Sequence, residues 1–417
     1  MSNNKGNNSK YFEIITHGTI TSVPEFYAAS CHCGVKKGKK DDICVIYTPL
    51  KTCCSGVFTT NKFLAAPVII CKEQLNNSRN IKAIVINSGI ANACTGKKGN
   101  INAKKTIELA AKYLNIKKGN ILISSTGIIG HQLPMEKIKN GIKYCSKNLN
   151  RDGGHNAAKA ILTTDKVKKE IAVEVKINDN HKSGNIIIGG IAKGSGMIAP
   201  NMATMLCFVS ANVKISRNVL DGLLEEGVEK SFNSITIDGC QSTNDMVIIQ
   251  TNGQSGIEIN NKYDKYFNEF RNALFFILKS LAKKLVKDGE GATKLIEISV
   301  IGARSKIDAK EVGMKIANSI LFKTAIFGED LNWGRIAAAI GSSDCSINSD
   351  KVDLYIGDTL ISKSGKEINF NKKHADKFIK KDEIKFTIDL NIGEKECKIW
   401  TTDLSYDYIK INSLYRS

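Results

Sequence analysis

Blocks of the chain switch between unbroken apolar runs of strand length and apolar residues spaced three and four apart, the pattern of strands alternating with amphipathic helices. In the first half, IKAIVINSG (81–89) is an apolar strand, and NAKKTIELAAKYLNI places Ile107, Ala110, Ala111 and Leu114 on one helical face. NILISSTG (120–127) predicts a second strand ending in a turn, after which Pro134 opens a helix with Ile138, Ile142 and Cys145 on one side. The segment AILTTDKVKKEIAVEVKI passes from a helix into a strand over 171–177. NDNHKSGN then reads as a hairpin turn, and NIIIGGIAK as the returning antiparallel strand.

In the second half ATMLCFVSANV predicts a strand, and SRNVLDGLLEEGVEKSF a helix capped by Ser216. DMVIIQTNG is a further strand, and a long helix covers 266–287. IEISVIG, ILFKTAIFG, KVDLYIG and EIKFTIDL all read as strands. This makes an α/β chain rich in antiparallel pairing. It contains no internal repeat of roughly 20 to 50 residues and no linker between its halves.

At 417 residues the chain has ample length for a large core, and its 42% hydrophobic and 24% charged residues are ordinary for a folded protein. The net charge of +19 raises nucleic acid as a partner. Lysine supplies nearly all of it, however, since only seven of the 60 basic residues are Arg, and no Arg stripe is interleaved with aromatics. Guanine and bidentate phosphate recognition favour Arg, so neither nucleic acid nor a membrane is expected as a partner. No apolar run reaches the roughly 18 residues of a membrane span. The first residues lack the apolar core of a secretory signal, and the first Arg is Arg79, so a cytoplasmic location is expected. The 12 cysteines are scattered and read as reduced thiols. Cys31-His32-Cys33 lacks the second ligand pair of a zinc site, so no metal is expected.

Two segments carry candidate chemistry. In AKGSGMIAPNMATML (192–206), Gly194, Gly196 and Ala199 match a dinucleotide-binding fingerprint, but Pro200 and an apolar run follow where a helix should open. The same stretch sets Ala203-Thr204 at the start of a strand behind glycine-rich backbone. If the preceding bond were cut, Thr204 would have an α-amino group to act as its base, as an N-terminal nucleophile requires. A threonine merely paired in a sheet is the competing reading. In SSTGIIGHQLPMEK, Thr126-Gly127 sits in a turn at a strand end, where a hydroxyl and a backbone N–H can serve as oxyanion donors or as ordinary turn groups.

These segments, with NSGIANACTG, ILTTD, SFNSITIDGCQSTND, DGEGATK, GEDLNWGRIAAAIG and the ending DLSYDYIKINSLYRS, resemble in order and across almost the whole chain the ornithine acetyltransferases, also called glutamate N-acetyltransferases, of the cyclic arginine pathway. The resemblance implies layered sheets and helices like those of N-terminal-nucleophile hydrolases, with a distinct topology. It implies self-cleavage between Ala203 and Thr204 into an α chain (1–203) and a β chain (204–417) that share one fold, two of each forming a heterotetramer. It assigns Thr204 as nucleophile and Thr126 with Gly127 as the oxyanion hole. Thr163, Lys193, Thr204, Glu290, Asn412 and Ser417 are assigned to the substrate, with Thr164 competing for the place of Thr163.

Chemistry agrees with these residue types. Lys193 suits a carboxylate and Glu290 an ammonium, although outside the resemblance each would be an ordinary surface charge. The implied reaction moves an acetyl group from N-acetylornithine to glutamate without metal or organic cofactor. Acetyl-CoA is a candidate second donor, because monofunctional and bifunctional members share the motifs. An amidohydrolase or aminopeptidase using the same nucleophile is the rival. The chain departs from the family at His131, at Cys240-Gln241 and at Cys207, which alternation puts on the opposite face from Thr204 and which reads as packing. The stretches CHCGVKKGKK and TCCSGVFTTN depart further.

Overall fold

A computed structural model describes residues 11–177, 184–199 and 205–414. Ala203, Thr204, Ser417 and residues 178–183, where a hairpin turn was expected, lie outside the described residues.

Three large sheets, with a two-stranded parallel pair of Lys214–Ile215 and Glu258–Ile259, organise these residues. The first has four strands in the order Tyr27–Cys31, Ile43–Tyr47, Ala83–Ile90, Ile121–Ile128, and its last two run parallel. The second has six, in the order Glu13–Ile14, Lys169–Val175, Ile186–Lys193, Leu206–Ala211, Met246–Thr251, Cys53–Phe58. Lys169–Val175 and Ile186–Lys193 pair antiparallel, as the flanks of the expected hairpin should. This sheet takes strands from both sides of positions 203 and 204. The third sheet, also six-stranded, is built wholly from residues after 294 around the central strand Leu295–Ala303.

Strand alternation in the second sheet decides which core each residue joins. Leu206 and Phe208 enter a core shared with the first sheet and the helices Ala66–Asn77, Gly96–Leu114 and Met135–Lys147. Cys207 and Val209 enter the opposite core, beneath the helices Arg217–Glu229 and Phe267–Lys287. Cys207 is thus a packing residue, fully buried, and burial pushes its thiol well above the usual range. The helix Phe267–Lys287 buries Phe270, Ala273, Leu274, Ile277, Leu278, Leu281 and Leu285 on one stripe, which is why its length was legible. All 12 cysteines are free. No helix among the described residues is long and apolar enough to cross a membrane.

Three local expectations need correction. ILFKTAIFG is a helix, Ile320–Phe327, and not a strand. Its buried positions Phe322, Lys323, Ala325 and Ile326 follow a helical stripe, and the Ser319 hydroxyl accepts the Phe322 N–H at its start. Ser216 occupies the N-cap position of Arg217–Glu229, but its hydroxyl donates to the Asn260 carbonyl and does not cap the helix. The helix expected from residue 102 begins at Gly96, a turn and a half earlier, where Gly and Lys residues hide the periodicity.

Candidate active site

The parallel pair Ala83–Ile90 and Ile121–Ile128 brings Gly89 opposite Gly127 at its carboxyl end. Gly127 adopts φ +127°, and a Cβ there would collide with the Gly89 backbone, so both conformation and space demand glycine. Thr126 precedes this turn and is 6% exposed. Its hydroxyl accepts a hydrogen bond from Lys193 Nζ at 3.1 Å.

Lys193 ends the strand Ile186–Lys193 and pairs with Leu206, two residues past Thr204. It is 3% exposed, a correction to the surface charge that its sequence alone suggests. Burial lowers its pKa, while the carboxylates of Asp165, Asp245 and Glu290 oppose that shift. Glu290, likewise expected at the surface, is 8% exposed, accepts from Asn412 Nδ2 at 2.9 Å, and donates its N–H to the Ser195 carbonyl at 2.7 Å. Gly196 makes room for it, since a Cβ at 196 would strike the Glu290 carboxylate.

These side chains line one narrow cavity of about 80 Å³, together with Thr163, Thr164 and Gly127. Thr126, Gly127, Thr163, Lys193, Glu290 and Asn412 therefore converge on it from segments far apart in sequence. Thr163 and Thr164 both reach the wall, and Thr164 Oγ1 lies 2.8 Å from Ser195 Oγ. Thr204 and Ser417 fall outside the described residues, but the N–H of Met205 is fixed by Asp245 Oδ1 at 2.7 Å.

Several residues that the sequence did not single out hold the site. Asp165 is fully buried as a side chain, pairs with Lys169, and accepts the Gly194 N–H at 2.7 Å. Burial opposes its ionisation, yet the Lys193 and Lys169 ammoniums and the Gly194 N–H bring its pKa down to about 2. Lys169 also pairs with Asp288, two residues before Glu290, which ties three wall segments together. Asn244 Nδ2 bridges the carbonyls of Ala91 (2.6 Å) and Ser125 (2.8 Å) behind Thr126. Asp238 accepts the N–H groups of Met197 (2.6 Å) and Ile198 (2.9 Å), fixing the glycine-rich wall. All but Lys169 lie inside a quoted motif, which was the available signal. Their partners are distant in sequence, which concealed their roles.

Among the described residues no group of three or more His, Cys, Asp and Glu is arranged to hold a metal ion. His32, between Cys31 and Cys33, instead faces the Asp42 carboxylate at 3.2 Å.

A layered α/β fold with a buried lysine, a buried glutamate and a strand-end Thr-Gly turn lining one cavity defines a candidate small-molecule site. Residues 27–417 match the model of the ArgJ family. The chain belongs to the ArgJ family. It is 44% identical over 407 residues to the arginine biosynthesis bifunctional protein ArgJ of Caldanaerobacter subterraneus subsp. tengcongensis, covering 97% of this chain and all of that one. It is 40% identical to the protein of the same name from Oceanobacillus iheyensis, covering 98% of each. Among solved structures, ArgJ of Bacillus halodurans aligns with a TM-score of 0.48 at 38% identity, over 50% of this chain and 98% of that one. The ornithine acetyltransferase of Mycobacterium tuberculosis, complexed with ornithine, aligns with a TM-score of 0.41 at 32% identity, over 45% of this chain and 98% of that one.

Proposed function

We propose that this chain transfers an acetyl group from N-acetylornithine to glutamate through an acetyl ester on Thr204, after cutting itself between Ala203 and Thr204. The observation that carries the reading is the convergence of Thr126, Gly127, Lys193, Glu290 and Asn412 on one cavity beside the strand that begins just after Thr204. Thr204 Oγ attacks the acetyl carbonyl, and its α-amino group takes the hydroxyl proton. The Thr126 hydroxyl and Gly127 N–H stabilise the oxyanion. The C–N bond breaks, ornithine leaves with that proton, and the glutamate amine attacks the ester, its displaced proton passing through the α-amino group to the Thr204 oxygen, which releases N-acetylglutamate and free Thr204. Glu290 faces the substrate ammonium, with Asn412, Thr163 or Thr164, and Ser417 as neutral partners. Acetyl-CoA enters as an alternative donor at the same ester. The α chain (1–203) and β chain (204–417) stay in one fold, a reading supported by the second sheet, which takes strands from both. Two of each assemble into the heterotetramer.

Denaturing mass analysis tests the nucleophile and the cleavage together. The purified protein should give two masses that sum to the full chain plus one water, Thr204→Ser should still divide, and Thr204→Ala should stay whole. Division of Thr204→Ala at the same bond would overturn the mechanism. Release of free acetate from N-acetylornithine at the same rate with and without glutamate would favour an amidohydrolase.

A further inference from the structure

We infer that Lys193 is a positioning residue that aims the Thr126 hydroxyl at the developing oxyanion. An ammonium has donors and no acceptor, so in the 3.1 Å contact between Lys193 Nζ and Thr126 Oγ1 the hydroxyl oxygen must accept. Its single hydrogen is then left to turn elsewhere, and Thr126 is otherwise enclosed except toward the cavity it lines. Among the described residues this is the one hydrogen bond that Lys193 Nζ makes, and both side chains are buried, so the pair is fixed on one geometry. A neutral amine has a lone pair. Loss of the Lys193 proton would let the contact reverse, with Thr126 donating to nitrogen and the oxyanion losing a donor.

The surroundings hold Lys193 in the donating form. The buried Asp165 carboxylate, fixed by the Gly194 N–H and by Lys169, sits in its field, and the carboxylates of Asp245 and Glu290 add to it. Burial and the Lys169 ammonium work against the charge. Lys36, which donates to the carbonyls of Asp41 and Ala160, is a second ammonium that feels the Lys193 charge, and burial lowers it to about 8. This role rests on the proposed acetyl transfer and adds to any substrate contact by the two remaining Lys193 protons.

The test is the pH dependence of kcat for acetyl transfer, measured on the two-chain protein, with a double-mutant cycle. In the wild-type protein kcat should fall as pH rises through the Lys193 titration, below the ordinary lysine range. Lys193→Arg stays charged throughout and should remove that fall while keeping kcat within about tenfold. Thr126→Val should also remove it, Thr126→Ser should keep it, and Asp165→Asn should move it to lower pH. Lys193→Met should lower kcat by about 30-fold or more in the wild-type background but by less than about threefold in Thr126→Val, because both act on one donor. Equal costs in the two backgrounds, a raised KM with unchanged kcat, or an alkaline fall that survives Lys193→Arg would overturn the inference while leaving acetyl transfer intact. If Lys193→Met does not fold, the Lys193→Arg and Thr126→Ser profiles decide alone. Absence of transfer in the wild-type protein would overturn the functional reading and this role with it.

Discussion

Thr126 and Gly127 show how much a single turn can fix at the residue scale. Donors aimed at a charge that appears only in the transition state act on turnover, so Thr126→Val should lower kcat by about 100-fold with little change in KM, as steady-state kinetics with N-acetylornithine and glutamate would measure. Gly196 makes a complementary case. Alanine there would push against the Glu290 carboxylate, so Gly196→Ala should raise KM for the amino-acid substrates by about tenfold, roughly 1.4 kcal/mol, more than it lowers kcat. Titration of initial rates against each substrate separates the two variants. The strand-end turn around Thr126 was legible because Ser, Thr and Gly after an apolar run signal a turn without distant information. The burial of Lys193 and Glu290 was not, because it depends on Asp165, Ser195 and Asn412, which only tertiary folding brings near.

At the scale of elements, legibility tracked length and periodicity. A single apolar stripe along 21 residues defines the helix Phe267–Lys287 unambiguously. The eight residues Ile320–Phe327 do not, since a short apolar run fits a strand or a helix equally well. Lys323 compounds the ambiguity. It points inward, 4% exposed, and donates to Thr401 Oγ1 and the Thr402 carbonyl, while Ile320 and Leu321 stand 67% and 59% exposed. Apolar residues outside and a lysine inside invert the usual code. What decides for helix is Ser319, whose N–H closes the preceding helix Lys306–Asn318 onto the Ile316 carbonyl at 3.1 Å and whose hydroxyl opens the next. Ser319→Ala should therefore cost about 1 kcal/mol, read as a lower midpoint in urea unfolding. Ser216→Ala should cost less, because that hydroxyl joins two loops and caps no backbone N–H at the helix start.

Across the whole molecule the same charges that shape the cavity also couple folding to pH. Asp165 has a folded pKa of about 2 against an ordinary 3.8, so its folded state binds protons less readily than the unfolded chain. Its contribution, about 2 kcal/mol, is fully present above the unfolded value and is lost as pH falls from about 4 through about 2. Asp165→Asn should flatten that part of the acid-unfolding curve, measured by circular dichroism. The cavity itself constrains the order of events. Its walls are tied together by Lys169, which bridges Asp165 and Asp288, and by the Glu290 N–H bond to Ser195, so they cannot open widely without breaking buried ion pairs. One cavity holding one buried lysine and one buried glutamate serves both amino acids in the proposed double displacement, so there ornithine leaves before glutamate binds, with the acetyl group held on Thr204 between them. Initial rates with N-acetylornithine varied at several fixed glutamate concentrations should then give parallel double-reciprocal lines, and protein denatured after exposure to N-acetylornithine alone should carry one acetyl group on the fragment that begins with Thr204. Intersecting lines without an acetylated fragment would mean that both amino acids occupy the cavity together and that the transfer is direct.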